Sequence, residues 1–210
     1  RDRRLSESEY RTLGHILRQG CQSNQLRIHA DILRLIALTG CRRGEIVNLK
    51  WSAVDLEGSC LRLADSKEGA TVRPVGLPVV EYLEKERPHR TGTYVFPGQD
   101  IDNAVGNFPQ SWKKLFKDTP LWDVTPHVLR HSFASMANDL GFTEITIAAL
   151  IGHAKGSVTS KYVHTLDSTL IMAADTVAGY VKALLEGAEF RRNTYTLDRQ
   201  SRQSAINEIL

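Results

Sequence analysis

Hydrophobic positions recur at helical spacing over most of the chain. Residues 6–9 (Ser-Glu-Ser-Glu) have the Ser-x-x-Glu spacing of a capping box, and apolar residues follow at intervals of three and four up to Gly20. A more apolar segment from 26 to 38 ends at Gly40, where glycine can take the left-handed conformation that closes a helix. The pattern therefore predicts two helices, followed by a short turn or helix over 45–49.

The pattern then changes to period two. Leu61 and Leu63 alternate with Arg62 and Ala64, and a second extended run covers 71–77 beyond a polar segment at 65–69. Alternation on both sides of a polar turn is typical of a β-hairpin. This part of the chain is therefore predicted to form a small antiparallel sheet.

Prolines and glycines delimit the remaining predicted elements. Pro78 suits the first turn of a helix that ends before Pro88, and another helix begins near Pro109. Thr125-Pro126 is an N-cap followed by a first-turn proline, and that helix ends at 140–141. Further helices are predicted at 145–151, 158–164 and 168–185, and the polar tail from 189 is predicted to hold a strand at 194–197 and a short helix. The predicted fold class is α+β, mostly helical, with one small antiparallel sheet.

Composition narrows the class of protein without choosing a function. The 210 residues are 41% hydrophobic and 24% charged, which is typical of a globular domain and excludes a disordered tail. There is neither an apolar run of about 18 residues nor a signal sequence, so we expect a soluble, cytoplasmic protein with no membrane partner. Three scattered cysteines argue against a disulfide framework, and the net charge of +3 permits nucleic-acid binding without requiring it.

Two segments in the first third of the chain hold polar residues that folding alone does not require. Arg42 follows the second predicted helix directly, and Glu45 lies three residues further on. A purely structural Arg–Glu pair would explain the same spacing. Lys67 lies in the hairpin turn, where a lysine is ordinarily only solvated.

Two more such segments lie in the second half. His127 and Arg130 share a helix face and could meet at one ligand, although a capping histidine with a surface arginine is the alternative. His153 precedes Tyr162 by nine residues, and a tyrosine at that point could equally be a core or boundary aromatic. His127 and His131 have a zinc-binding spacing, but no motif glutamate or third ligand accompanies them, so no metal site is predicted and His131 is expected to be buried and hydrogen-bonded.

The order of these residues resembles the catalytic domain of the tyrosine recombinase (phage integrase) family. That pattern has an arginine in T-G-x-R-x-x-E, a lysine in a β-hairpin, H-x-x-R, a histidine or tryptophan after L-G or I-G, and a tyrosine about nine residues later. The resemblance extends from about residue 5 to about residue 180. The matching residues are Arg42, Lys67, His127, Arg130, His153 and Tyr162.

The resemblance implies that Arg42 and Arg130 clamp a DNA phosphate, with Glu45 as a brace for Arg42. Planar guanidinium groups bind phosphate oxygens bidentately and remain charged at neutral pH, so they suit this role. Fixed cations lower the barrier of a reaction whose transition state carries negative charge on the non-bridging oxygens.

The resemblance also assigns the proton transfers. Tyr162 would be the nucleophile and form a 3′-phosphotyrosyl link, and Lys67 would protonate the departing 5′ oxygen. His127 would carry the nucleophile's proton, and His153 would donate a hydrogen bond to a phosphate oxygen. Because the phosphodiester energy is kept in the protein–DNA bond, neither a metal, ATP nor any other cofactor is expected.

The expected activity is site-specific recombination of double-stranded DNA by a homo-tetramer on two duplexes, with accessory DNA-bending or directionality proteins as further partners. The protein would be bacterial or phage-encoded and associated with the nucleoid. A topoisomerase of type IB and a DNA-binding module that lost its activity are the alternatives.

The domain boundaries expected from the sequence are a catalytic domain over 1–187 and a tail over 188–210, which is exchanged between protomers or folded in cis. Only 41 residues precede Arg42, so we expect that the helical domain that precedes the catalytic one in this family is either removed or absent.

Overall fold

The computed structural model describes residues 3–66, 69–89, 92–152 and 168–190, with only the backbone for 64–66, 69 and 70. Its architecture is mostly helical with one small antiparallel sheet, as the hydrophobic pattern predicts. The helices are α1 (Glu7–Gln22), α2 (Arg27–Thr39), α3 (Arg43–Val47), α4 (Leu77–Glu86), α5 (Phe108–Phe116), α6 (Pro126–Asp139), α7 (Glu144–Ile151) and α8 (Ser168–Glu186). The strands are β1 (Val54–Asp55), β2 (Cys60–Ser66) and β3 (Gly69–Pro74).

Helix α1 begins at the predicted capping box. The Ser6 hydroxyl accepts from the Glu9 backbone N–H at 3.3 Å, and the Glu9 carboxylate accepts from the Ser6 N–H at 2.8 Å. Arg3 holds that carboxylate with two hydrogen bonds and reaches Asp123, in the loop before α6, with two more. The beginning of α1 is thereby joined to the beginning of α6.

Helix α2 occupies the centre of the core. It packs against α1, α6, α5 and α8, and its side chains are buried on nearly every face. It ends where predicted, because Gly40 has the left-handed backbone (φ 63°) that closes the helix, and a Cβ there would press against Phe133. The fully buried members of this centre include Ile32, Leu33, Leu35 and Ile36.

The sheet has three strands in the order β1-β2-β3, both pairs antiparallel. The predicted hairpin is present, whereas the two-residue β1 has no signal in the sequence pattern. The predicted second strand is too long, because Leu77 begins α4 rather than ending β3. The buried carboxylate of Asp175 accepts from the Leu77 N–H at 2.7 Å, so a side chain 98 residues away starts that helix.

Helix α8 lies against α1, α2 and α4. By length and composition alone it could cross a membrane, but most of its residues are buried inside the protein, which is the position of a core helix. Its packing against α1 is close, because a Cβ at Gly14 would overlap the backbone carbonyl of Leu185. The predicted helix over 158–164 and the predicted elements of the tail lie outside the described residues.

Candidate active site

Arg42 lies at the N-cap of α3 with an extended backbone. Glu45 receives two hydrogen bonds from it, from the backbone N–H to Oε2 at 2.7 Å and from Nη1 to Oε1 at 3.2 Å. Glu45 is 8% exposed and the Arg42 side chain is 27% exposed. The local T-G-x-R-x-x-E spacing thus presents a guanidinium at the surface while its carboxylate partner is buried.

Arg130 is buried on the inner face of α6, at 6% exposed. Its Nη1 donates to the Gly40 carbonyl at 2.6 Å, which ties α6 to the end of α2 directly before Arg42. Its Nη2 is buried too and has no hydrogen-bond partner in the described part of the chain. The alternative of a surface arginine is therefore wrong, and Arg130 keeps one buried donor that no described residue pairs.

A third arginine, which the sequence analysis did not single out, completes the cluster. Arg73 on β3 is 2% exposed, and its Nη2 donates to Glu45 Oε1 at 3.0 Å. It stands opposite Leu61 in the sheet, on the side that faces the core. The sequence does carry a signal for it. In the predicted strand, Arg73 lies two residues before the apolar Val75, so both side chains point to the same, inward-facing side of the sheet.

The electrostatics of this cluster favour an anion. Burial lowers the pKa of Arg130, and the positive charges of Arg42 and Arg73 lower it further. The neighbouring Cys41 thiol is fully enclosed, and burial raises its pKa, so it stays neutral and offsets no positive charge. Among the described residues of this cluster, three guanidinium groups thus stand against the carboxylate of Glu45. An oxyanion with several acceptor oxygens, such as a phosphate, matches this arrangement.

The structure brings Arg42, Glu45 and Arg130 together, and it places His127 one turn before Arg130 on α6, where it is exposed. Thr125 caps that helix by accepting from the Val128 N–H at 3.2 Å. His131 is half-buried rather than buried. In the described ranges, no three His, Cys, Asp or Glu side chains are grouped as a metal site requires.

Lys67, His153 and Tyr162 lie outside the described residues. Gly152, the residue before His153, is described, and its left-handed backbone (φ 70°) closes α7. A Cβ at position 152 would overlap the guanidinium of Arg73, so the end of α7 rests directly on the arginine cluster.

These features define a class of protein: a mostly helical domain with a small antiparallel sheet and a buried cluster of arginines. The chain belongs to the phage integrase family, whose model matches residues 3–169. The predicted family is therefore confirmed, and so is the predicted fold.

Relatives and solved structures agree with this assignment. The shufflon-specific DNA recombinase of Escherichia coli is 29% identical over 180 residues, which are 83% of this chain and 43% of that protein. The crystal structure of XerA recombinase has a TM-score of 0.57 at 26% identity, covering 80% of this chain and 62% of the other. An integrase of the transposon Tn1549, in complex with circular intermediate DNA, has a TM-score of 0.55 at 16% identity, covering 80% of this chain and 62% of that one, and shows the shared fold. The chain spans less than half of the shufflon recombinase and under two thirds of both structures.

Proposed function

We propose that the chain is the catalytic part of a site-specific DNA recombinase, which cuts and rejoins strands through a 3′-phosphotyrosyl intermediate. The observation that carries this proposal is the convergence of Arg42 and Arg130 beside the carboxylate of Glu45, which Arg73 holds from within the core. Negative charge grows on the non-bridging oxygens of a phosphodiester under attack. Cations held in place beforehand stabilise that charge without reorganising, which is the largest contribution in many enzymes.

Arg42 and Arg130 have different parts in this clamp. Arg42 is accessible at the surface, so it would meet the phosphate as DNA docks. Arg130 is buried and bound to the Gly40 carbonyl through Nη1, and its Nη2, which no described residue pairs, would donate to the phosphate. Guanidinium groups can donate two parallel hydrogen bonds to one phosphate, which fixes its orientation for in-line attack.

In the covalent step, each residue would have the role that its family motif implies. The Tyr162 oxygen attacks phosphorus, the bond from phosphorus to the 5′ oxygen breaks, and the phenol proton passes to His127. Lys67 supplies a proton to the leaving 5′ oxygen, while His153 donates a hydrogen bond to a phosphate oxygen. Attack by the 5′-hydroxyl of another strand reverses these steps and releases the tyrosine. No metal, ATP or other cofactor takes part.

Double-stranded DNA is the proposed partner. The related Tn1549 integrase is in complex with DNA, and the arginine cluster supplies a matching site in this chain. We further propose that the protein acts as a homo-tetramer on two duplexes, assisted by accessory DNA-bending or directionality proteins, in the cytoplasm at the nucleoid. The tail over 188–210 would be exchanged between protomers or folded in cis.

The test is covalent capture of DNA. The chain is incubated with a library of nicked suicide duplexes that have a randomised centre, and adducts that survive SDS are recovered and sequenced. We expect adducts with the wild type and none with Tyr162→Phe. Equal adduct from Tyr162→Phe would show that another residue is the nucleophile, and no adduct from the wild type would favour a DNA-binding module without activity.

The same assay separates a recombinase from a topoisomerase of type IB. A recombinase joins the captured strand to a second duplex that carries the recovered sequence. A topoisomerase reseals the strand it cut and relaxes supercoils without exchange. Joint molecules between two labelled duplexes would therefore support recombination, and relaxation alone would contradict it.

A further inference from the structure

Arg73 is the most deeply buried charge of the cluster and has no part in the clamp proposed above. At 2% exposed it cannot reach a DNA backbone from its position on β3. Among the described residues, Glu45 and Gly152 contact its guanidinium. Nη2 donates to Glu45 Oε1 at 3.0 Å, and the planar group lies against Gly152 at the end of α7.

Stability alone gives no reason for an arginine at this position. Arg73 faces inward opposite the fully buried Leu61, where an apolar side chain would suit the core. Its Nε is buried without a hydrogen-bond partner among the described residues. A buried ion pair of this kind is often no more stabilising than apolar residues of equal volume, so stability does not account for Arg73.

The ion pair of Arg73 bears directly on Arg42. The same oxygen, Glu45 Oε1, accepts from Arg73 Nη2 and from Arg42 Nη1. The position of that oxygen therefore sets where the accessible guanidinium lies. Because Arg73 is anchored in the sheet, it fixes the carboxylate from the inside while Arg42 holds it from the outside.

The contact with Gly152 adds a second element. Glycine at this position lets the backbone of α7 approach the guanidinium closely, since any side chain would overlap it. One buried group thus touches both the brace of Arg42 and the end of the helix that precedes His153 in sequence. Arg73 is the described residue through which these two parts of the site are coupled.

We infer that Arg73 is a positioning residue, which orients Arg42 through Glu45 and sets the end of α7 against the cluster. This inference rests on the proposed function for its meaning in catalysis, but the orientation of Arg42 can be measured without DNA. A misplacement of about 1 Å in a catalytic group can cost about 100-fold in rate. We expect Arg73→Met to lower single-turnover cleavage at least about tenfold while the affinity for intact DNA is unchanged.

The experiment combines two readouts. Side-chain NMR of isotope-labelled arginine follows the Arg42 guanidinium signal, which is assigned by its loss in Arg42→Lys. Single-turnover adduct formation is measured on the duplex recovered with the wild type. The variants are Arg73→Met and Arg73→Lys, the latter to restore the charge beside Glu45. Leu61→Val, which alters the same strand pair without removing a charge, is the structural control.

We expect the Arg42 signal to shift in Arg73→Met and to move back towards its wild-type position in Arg73→Lys. Cleavage should change in parallel, whereas Leu61→Val keeps both the signal and the rate of the wild type. If Arg73→Met does not fold, Arg73→Gln serves in its place. In the double variant Arg42→Ala, Arg73→Met, we expect a loss of cleavage smaller than the two single losses combined, because Arg42 is no longer there to be positioned and only the contact with α7 remains to be lost.

An unchanged Arg42 signal in Arg73→Met overturns the inference, whatever the effect on cleavage. Additive losses in the double variant do so as well, since they would mean that Arg73 acts independently of Arg42. A shifted signal together with no adduct from the wild type leaves the positioning role standing and rejects the recombinase proposal.

Discussion

At the scale of single residues, the two clamp arginines differ in burial, but both are expected to be needed for cleavage. Arg42→Ala and Arg130→Ala are each expected to slow cleavage at least about 100-fold, the size of effect seen when one preorganised donor to a developing oxyanion is removed. The measurement is the single-turnover rate of adduct formation. Arg43→Ala is the matched control, because Arg43 is adjacent in sequence and exposed. Cleavage at the wild-type rate by either clamp variant would contradict the proposed roles.

The site residues differ in how far the sequence could predict them. Arg42, Glu45, His127 and Arg130 lie in short motifs whose spacing carries over directly into helix geometry. Arg73 was missed because its role depends on a contact with Glu45, 28 residues away, and on the approach of α7. Such contacts between distant segments leave no local periodicity. The alternation of β3 marks Arg73 as inward-facing, but only the fold shows which groups it meets.

At the scale of elements, the packing of α1 on α8 determines whether a glycine-to-alanine substitution stabilises or destabilises the protein. Helix propensity alone would predict the wrong direction. Alanine is a better helix former than glycine by about 1 kcal/mol. At Gly14, however, the added methyl would overlap the Leu185 backbone, which cannot rotate away as a side chain could. We expect Gly14→Ala to destabilise the protein by about 1–3 kcal/mol, the usual range for overpacking.

The chain supplies its own control for this prediction. Gly44 is also helical, in α3, and a Cβ there would meet nothing within 4 Å. Gly44→Ala should therefore leave the free energy of unfolding unchanged or raise it by up to about 1 kcal/mol. Chemical denaturation of both variants measures the difference. Equal stability of the two would mean that α8 does not approach α1 as closely as described.

The cap of α1 predicts a pH dependence. Hydrogen bonds from Arg3 lower the pKa of Glu9 from its ordinary value of 4.5 to about 2. A carboxylate with a lowered pKa in the folded state stabilises the protein above pH 4.5, and this contribution is lost as the pH falls towards 2. We expect the difference in Tm between the wild type and Glu9→Gln to shrink across that window. Glu57→Gln, which removes an exposed carboxylate, is the control, and a constant difference for Glu9→Gln would refute the prediction.

Most elements were predictable because their ends are set locally. The capping box at Ser6, the left-handed Gly40 and the Thr125-Pro126 start are all used as their sequence indicates. The end of β3 was not, because the carboxylate of Asp175 on α8 begins α4 at Leu77. Errors of this kind arise where a distant side chain supplies the hydrogen bond that an element's end requires.

At the scale of the whole molecule, the small net charge limits how strongly the chain can bind DNA. The 27 lysines and arginines are nearly balanced by 24 acidic residues, so the net positive charge that attracts DNA is only +3. Each neutralised phosphate adds about −0.9 to the slope of log affinity against log salt. We expect weak binding that falls at least about tenfold between 50 and 200 mM salt, the loss for two contacts. Fluorescence anisotropy with a labelled duplex measures it, and tight, salt-independent binding would contradict this account.

The distances along the chain between members of the arginine cluster have a consequence for folding. Arg73 meets its carboxylate across 28 residues, and Arg130 meets the Gly40 carbonyl across 90. Contacts between segments so far apart form late, after the loops between them have closed. A partly folded chain, including one still leaving the ribosome, therefore has its arginines but not their arrangement. For a protein proposed to break DNA strands, the capacity to cut would therefore appear only when folding is complete.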